Sequence, residues 1–403
     1  MPQQETPSSD NFGRQMVPLL FLVGIFLLTF LSRIILAPLL PALERSLGIS
    51  HAQSGALFLY VSLGYFVSLF SSGLISSRLG HRRTIIIAAL AVGLVLLVLT
   101  QATSLAVLNL GAFLIGLGGG LYLPSGIATL TSLVSPRHWG KAMAVHELAP
   151  NLGLFAGPLI AEGLLRVGTW QGVLGWVGVG CLLLGLVFWR WGKGGDFAGQ
   201  PPNPGNLKRL AGDVRAWILM ALFTLGIGGS LGVYTMLPLY LVNERGLDLA
   251  QANMLVGFSR LLGVAASFVA GWASDRLGPR TSLAWVFSLT GLCTVALGLV
   301  PPPWLWLALF VQPLMAVCFF PAGFAALSSL GDRDLRSLTV SVVVPMGFVL
   351  GGGALPAGIG WLGERVSFQF GIAMAGVLFF CGIFLLPWLR EKAPRPGQSS
   401  DGV

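Results

Sequence analysis

The chain has 403 residues, 55% hydrophobic and only 10% charged, with a mean hydropathy of +0.81. A soluble domain carries about 25% charged residues, so this composition excludes a soluble enzyme or binding domain and points to a polytopic membrane protein. The net charge of +9 is spread over separate loops rather than gathered in a patch, so no nucleic-acid partner is expected.

Residues 1–15 are polar and read as a disordered cytoplasmic tail. The apolar run behind them is too long for a signal peptide and lacks a small-residue cleavage site. Twelve apolar segments follow, at 16–42, 52–77, 84–102, 104–134, 142–165, 169–191, 214–242, 249–274, 281–300, 303–330, 337–361 and 367–389. Each is about long enough to cross a bilayer, which takes about 20 residues. Residues 192–213, rich in Gly, Pro and charge, read as a cytoplasmic linker between the units 16–191 and 214–389, and 390–403 as a cytoplasmic tail. The fold class is all-α integral membrane, with twelve transmembrane helices in two pseudo-symmetric six-helix bundles.

The two units are related by repetition. Ala52, Gln53, Gly73, Leu79 and Gly80 recur 198 positions later as Ala250, Gln251, Gly271, Leu277 and Gly278. Pro124 and Gly126 recur 197 positions later as Pro321 and Gly323. Two matched blocks at nearly one offset indicate two related halves, a common way to build a transporter. Proline within a helix removes a backbone bond, so the fourth and tenth segments are expected to bend at matched positions.

Orientation follows from Lys and Arg in the loops. With the N-terminus in the cytoplasm, 18 fall on the cytoplasmic side and 4 (Arg45, Arg166, Arg245 and Arg365) outside. Both termini are therefore expected inside, in a bacterial plasma or inner membrane.

The third and twelfth segments, and the sixth up to Trp189, carry no charge and are expected to face lipid. Other segments carry polar residues at helical spacing that must turn inward. The eighth has Asn253, Arg260 and Ser267, and the first has Thr29 and Arg33. The fourth has Tyr122, Ser125 and Thr129, and the seventh has Ser230 and Tyr234. A guanidinium at mid-membrane depth costs at least about 2.5–3.5 kcal/mol, so Arg260 and Arg33 are candidate functional residues by default. A guanidinium matches a carboxylate as a bidentate fork. Two structural roles stay open: Arg260 pairs with a carbonyl or with Glu147, and Arg33 snorkels to the headgroups.

His146 and Glu147 are the adjacent titratable pair inside a span. They are candidates for proton coupling; the alternative is an interfacial salt bridge from Glu147 to Arg137 or Lys141. Glu162, Glu244 and Glu364 lie near outer loops and are expected to be solvated. The four cysteines sit singly in apolar runs, without metal or disulfide spacing. No catalytic constellation recurs, so neither an enzyme nor a cofactor is expected.

The loops after the second and eighth segments carry the most specific motif. The second copy reads Gly271-Trp-Ala-Ser-Asp275-Arg276-Leu-Gly278-Pro-Arg280. The first copy keeps Gly73, Arg78, Gly80 and Arg82, with Ser77 where the second has Asp275. With twelve spans in two halves and a central linker, the chain resembles the major facilitator superfamily of secondary transporters over nearly its whole length. The resemblance implies alternating access. It also implies that Gly73, Arg78, Gly80, Arg82, Gly271, Asp275, Arg276, Gly278 and Arg280 gate the carrier by latching its cytoplasmic ends in the outward-open state. Ser77 departs from the usual Asp, which puts the first copy's charge network in doubt.

Arg260 resembles the eighth-helix arginine of carboxylate transporters in this superfamily, and Arg33 the first-helix arginine of its organic anion symporters, with Ser32 where Asp is usual. The stretch Asn151–Ile160 is similar to a glycine-proline motif associated with proton-coupled antiporters, and equally fits a packing face of small residues. The implied function is proton-coupled symport of a small organic anion, a carboxylate. Arg260, Arg33, Asn253, Tyr122 and Tyr234 would hold the substrate, and Glu147 with His146 would take the proton. Two other readings are a proton-coupled multidrug efflux antiporter and a non-transporting membrane sensor. The protein is expected to act as a monomer.

Overall fold

The computed structural model describes residues 12–199, 212–328 and 342–389. Of the tail expected to be disordered over 1–15, residues 1–11 lie outside the described residues and 12–15 are instead helical, continuous with the first span; most of the linker and the C-terminal tail also lie outside the described residues. Twelve helical spans cross the molecule, at Gln15–Leu47, His51–Leu79, His81–Leu99, Leu105–Leu133, Pro136–Leu165, Trp170–Trp191, Val214–Asn243, Leu249–Leu277, Pro279–Leu299, Pro302–Leu327, Val342–Arg365 and Phe368–Trp388. They match the twelve apolar segments in number and order.

Short polar caps start these helices. Ser50 accepts from the Gln53 amide while the Gln53 side chain returns a bond to Ser50, a capping box. Ser104, Thr169, Asp248 and Ser367 accept similarly at the starts of the fourth, sixth, eighth and twelfth spans. The turns after the second and eighth spans are made by Gly80 (φ +80°) and Gly278 (φ +81°), with nearly equal ψ. A positive φ at both repeat-related positions explains why both copies keep glycine there.

Several spans are not single continuous helices. The first is interrupted at Ile35, the fifth at Glu147, the eighth over Ser259–Leu262 and the tenth at Cys318. In the eighth, the Arg260, Leu261 and Gly263 amides bond three residues back instead of four, which tightens the turn. The seventh and eleventh spans contain π-helical stretches, Gly228–Gly232 and Phe348–Ala354. The tenth span breaks before Pro321 rather than at it, so the expected matched bend is displaced there. Exposed Leu94 and Val98, Trp176 and Leu183, and Val377 and Leu378 place the third, sixth and twelfth spans on the outside.

The two halves pack together toward the face opposite the linker. The Asn253 amide bonds Pro38 O at 3.3 Å, and the Ala52 amide bonds Glu364 Oε2 at 3.4 Å. Gly257 lies so close to the fifth span that a Cβ would sit 2.9 Å from Phe155 O, and one on Gly353 would meet Leu59 Cα at 2.9 Å. Small residues let membrane helices approach to this distance.

The expectation that three acids are solvated holds for exposed Glu364 and is corrected for Glu162 and Glu244. Glu162 is buried and bonds Arg166 at 3.2 Å. Glu244 reaches the start of the twelfth span, where the Gln369 amide bonds it at 2.8 Å and the Phe368 amide donates to its other oxygen. Glu364 is exposed but holds Ala52 across the halves. Each acid meets helix-end or loop donors that hydropathy does not report.

Candidate functional site

Arg33 ends the helix Phe12–Ile34, just before the break at Ile35. It is only 8% exposed, so it does not snorkel. Its guanidinium lies 4.2 Å above the Tyr65 ring and 5.1 Å from that of Phe30. Such contacts contribute about 0.5–2 kcal/mol, which falls short of full charge neutralisation. Nε of Arg33 has no hydrogen-bond partner, and among the described residues no carboxylate pairs with it. Around it is a small cavity, lined from the first half by Phe30, Phe58, Ser62 and Tyr65, and from the second by Leu231, Thr235, Phe348 and Gly352. The site therefore lies at the junction of the halves, apolar and aromatic around a single cation.

Arg260 sits in the break of the eighth span and is 6% exposed. It donates to Ser230 O at 2.8 Å and lies 4.7 Å over the Tyr234 ring. Ser230 belongs to the π-helical stretch, where the Val233 amide bonds five residues back to Gly228. A π-turn widens the backbone and opens carbonyls to other donors. Of the two structural roles weighed for Arg260, the carbonyl partner is the one present. One carbonyl satisfies one of the five donors of a guanidinium, and Nε again lacks a partner. A second small cavity adjoins it, lined by Asn151, Leu154, Ser259, Gly263, Pro313 and Val317.

His146 is fully buried and Glu147 half exposed, at the break of the fifth span. The imidazole stacks on Phe26 at 4.4 Å. Tyr122 has one hydroxyl hydrogen and donates it to Leu22 O at 2.6 Å. The 3.1 Å contact between that hydroxyl and His146 Nε2 therefore has the imidazole donating. His146 Nδ1 lies 3.2 Å from Glu147 Oε1. That contact is a hydrogen bond only when the imidazole or the carboxyl supplies a proton to it. Among the described residues, Glu147 makes no ion pair with Arg137 or Lys141.

The remaining candidates divide. Tyr122, Tyr234 and Asn253, expected to hold substrate, commit their donors to Leu22 O, Leu154 O and Pro38 O. Arg78, Asp275, Arg276 and Arg280 are exposed, and Arg276 stacks on Trp272 at 4.6 Å. Arg82 contacts the linker's start instead, at 3.6 Å from Asp196, and bonds Trp189 O at 3.2 Å. Gly73 and Gly271 are half-buried, the latter near Pro321. Two residues were missed. Tyr65, the floor under Arg33, was visible as a phenol amid Ser62 and Ser68 at helical spacing. Gln312, fully buried, bonds Gly229 O at 2.9 Å and Thr294 at 3.1 Å, and was visible as a lone amide in an apolar run.

The two-bundle fold and its charged inter-helix turns find a direct counterpart among known proteins: the profile of the Major Facilitator Superfamily matches residues 22–344 and 264–402. The chain belongs to the Major Facilitator Superfamily. Superfamily relatives differ in how much they share. An uncharacterized MFS-type transporter of Mycobacterium tuberculosis is 26% identical over 256 residues, and that match spans only 55% of its length and 60% of this chain. The probable sulfoacetate transporter SauU of Cupriavidus necator is 22% identical, over 92% of this chain and 93% of its own. The 3-(3-hydroxy-phenyl)propionate transporter of Escherichia coli is 27% identical, over 84% of this chain and 86% of its own. Among solved structures, a bacterial homologue of the human lysosomal transporter Spinster superposes with a TM-score of 0.80 at 15% identity, covering 94% of this chain and 97% of that one. Membership of that superfamily, with twelve apolar helices, makes this a multi-pass membrane protein.

Proposed function

We propose that this superfamily member moves a small organic anion, a carboxylate, by proton-coupled symport. The observation that carries the reading is Arg33: a permanent cation in an apolar cavity between the halves, held over a tyrosine face and left without a carboxylate partner among the described residues. An anionic cargo supplies the missing charge, and a carboxylate fits the fork of a guanidinium. The aromatic lining suits a cargo with an apolar body. The organic acids named for the relatives agree with this. The lining of both cavities contains no acid, which disfavours a lipophilic-cation exporter.

The proton belongs to His146 and Glu147. Glu147 is the half-exposed port, and His146 the buried end of the pair. Phe26, stacked on His146, and Phe30, beside Arg33, lie one turn apart on the same helix as Arg33, so protonation and cargo share one element. The excess of basic residues puts the linker face in the cytoplasm. Tight packing of the halves at the other face then makes this conformation inward-facing.

The test is uptake into proteoliposomes of benzoate, 3-phenylpropionate and acetate, with and without an inward proton gradient. Gradient-driven uptake of at least one acid is expected, with Arg33→Gln reducing it about 10–100-fold, the worth of a charge-assisted hydrogen bond of about 1.5–3 kcal/mol. Uptake indifferent to Arg33→Gln in correctly inserted protein would refute the assignment.

A further inference from the structure

Resting on that reading, we infer that the carrier holds two separate carboxylate stations, one at Arg33 and one at Arg260, rather than one site clamped by both arginines.

The stations lie on adjacent faces of the seventh span. Leu231 and Thr235 face the Arg33 cavity. Ser230 and Tyr234 carry Arg260. Each pair is spaced by one helical turn, and the two pairs are one residue, about 100°, apart around the helix, so the guanidiniums line two cavities that share no residue.

The stations are also the same device built twice. Each has a buried arginine laid on a tyrosine ring, with Nε unpartnered, lining a cavity at the junction of the halves. In the first half the arginine is on the first span and the tyrosine on the second. In the second half the tyrosine is on the seventh span and the arginine on the eighth. At the repeat offset of 198, Arg260 corresponds to Ser62 and Tyr65 to Gly263. Ser62 lines the Arg33 cavity and Gly263 the Arg260 cavity. Repeat-related positions thus line both cavities, with the roles of the paired helices exchanged.

Charge gives the arrangement a reason. A monocarboxylate at one station leaves the other guanidinium uncompensated, so each station favours an anion of its own. The Arg260 cavity lies one helical turn from the proton pair, since its lining residue Asn151 donates to the main-chain carbonyl of Glu147 at 2.9 Å.

Equilibrium binding of radiolabelled benzoate to the purified full chain in nanodiscs tests this. Two molecules bound per wild-type chain are expected, falling to one in Arg33→Gln and one in Arg260→Gln. A wild-type stoichiometry of one overturns the two stations. If both variants then lose binding, one clamped site holds the anion; if only Arg33→Gln does, Arg260 is a brace. The wild-type stoichiometry is decisive even if a variant fails to fold. No saturable binding by benzoate, 3-phenylpropionate or acetate overturns the organic-anion reading and this inference with it. Saturable binding at a stoichiometry of one overturns only the inference.

Discussion

A guanidinium cannot shed its charge when it is buried, as a carboxyl or imidazole can. Burial of Arg33 and Arg260 therefore has to be offset by contacts, and tyrosine faces and one carbonyl offset only part of it. His146 and Glu147 are the complementary case, since their proton can move. Tyr122 constrains it: the phenol gives its only hydrogen to Leu22 O and so keeps the Nε2 hydrogen of His146 in place. His146→Gln is expected to abolish accumulation driven by a proton gradient while sparing counterflow exchange, which needs no net proton movement. Tyr122→Phe removes the acceptor and should weaken accumulation several-fold in the same two assays. Equal loss of exchange in both variants would make the cluster structural.

The interruptions at Ile35, Glu147 and Ser259–Leu262 each lie within two residues of a residue proposed to bind or to carry the proton. A broken turn frees backbone groups and re-aims side chains, which continuous helix does not allow. The start of the linker acts as another local device. The His81 amide bonds Phe197 O at 3.1 Å and the Arg82 amide Gly195 O at 2.8 Å, while the Gly199 amide bonds Ser76 O at 3.0 Å. The segment thus straps the turn whose Ser77 replaces the usual acid, and Asp196 stands beside Arg82 in its place. Gly195→Val is expected to release the strap, because φ is +79° and a Cβ would lie 2.7 Å from Thr129 Oγ1. Faster protease cleavage of the linker would register this. Asp196→Asn, an exposed pair worth at most about 1 kcal/mol, should change cleavage little.

Across the whole molecule, the halves meet face to face away from the linker and present their motif copies to solvent at the other end. Rocking between halves has to open the contacts at Gly257 and Gly353. Gly257→Leu should wedge the fifth and eighth spans apart, raise cysteine accessibility at that face and depress transport. A short bifunctional crosslinker between Ala52→Cys and Glu364→Cys, in a background lacking the four native cysteines, should trap the packed state and stop uptake. Unimpaired uptake after full crosslinking would place the moving contact elsewhere.

Spans, repeat, loop charge and the two stranded arginines were legible in the sequence, because each depends on composition or on spacing along one helix. Hydropathy averages over a window, so it marked the eighth span but not the break that carries Arg260, and it took Glu162 and Glu244 for solvated acids. It named Tyr122, Tyr234 and Asn253 as polar residues facing inward, but not that each binds a carbonyl of another span. Those outcomes depend on which helix lies opposite, through distances of a few ångströms between residues 80 to 215 positions apart. One-dimensional pattern fixed which residues leave the lipid; only tertiary packing decided which found partners and which two guanidiniums were left with a nitrogen unpaired.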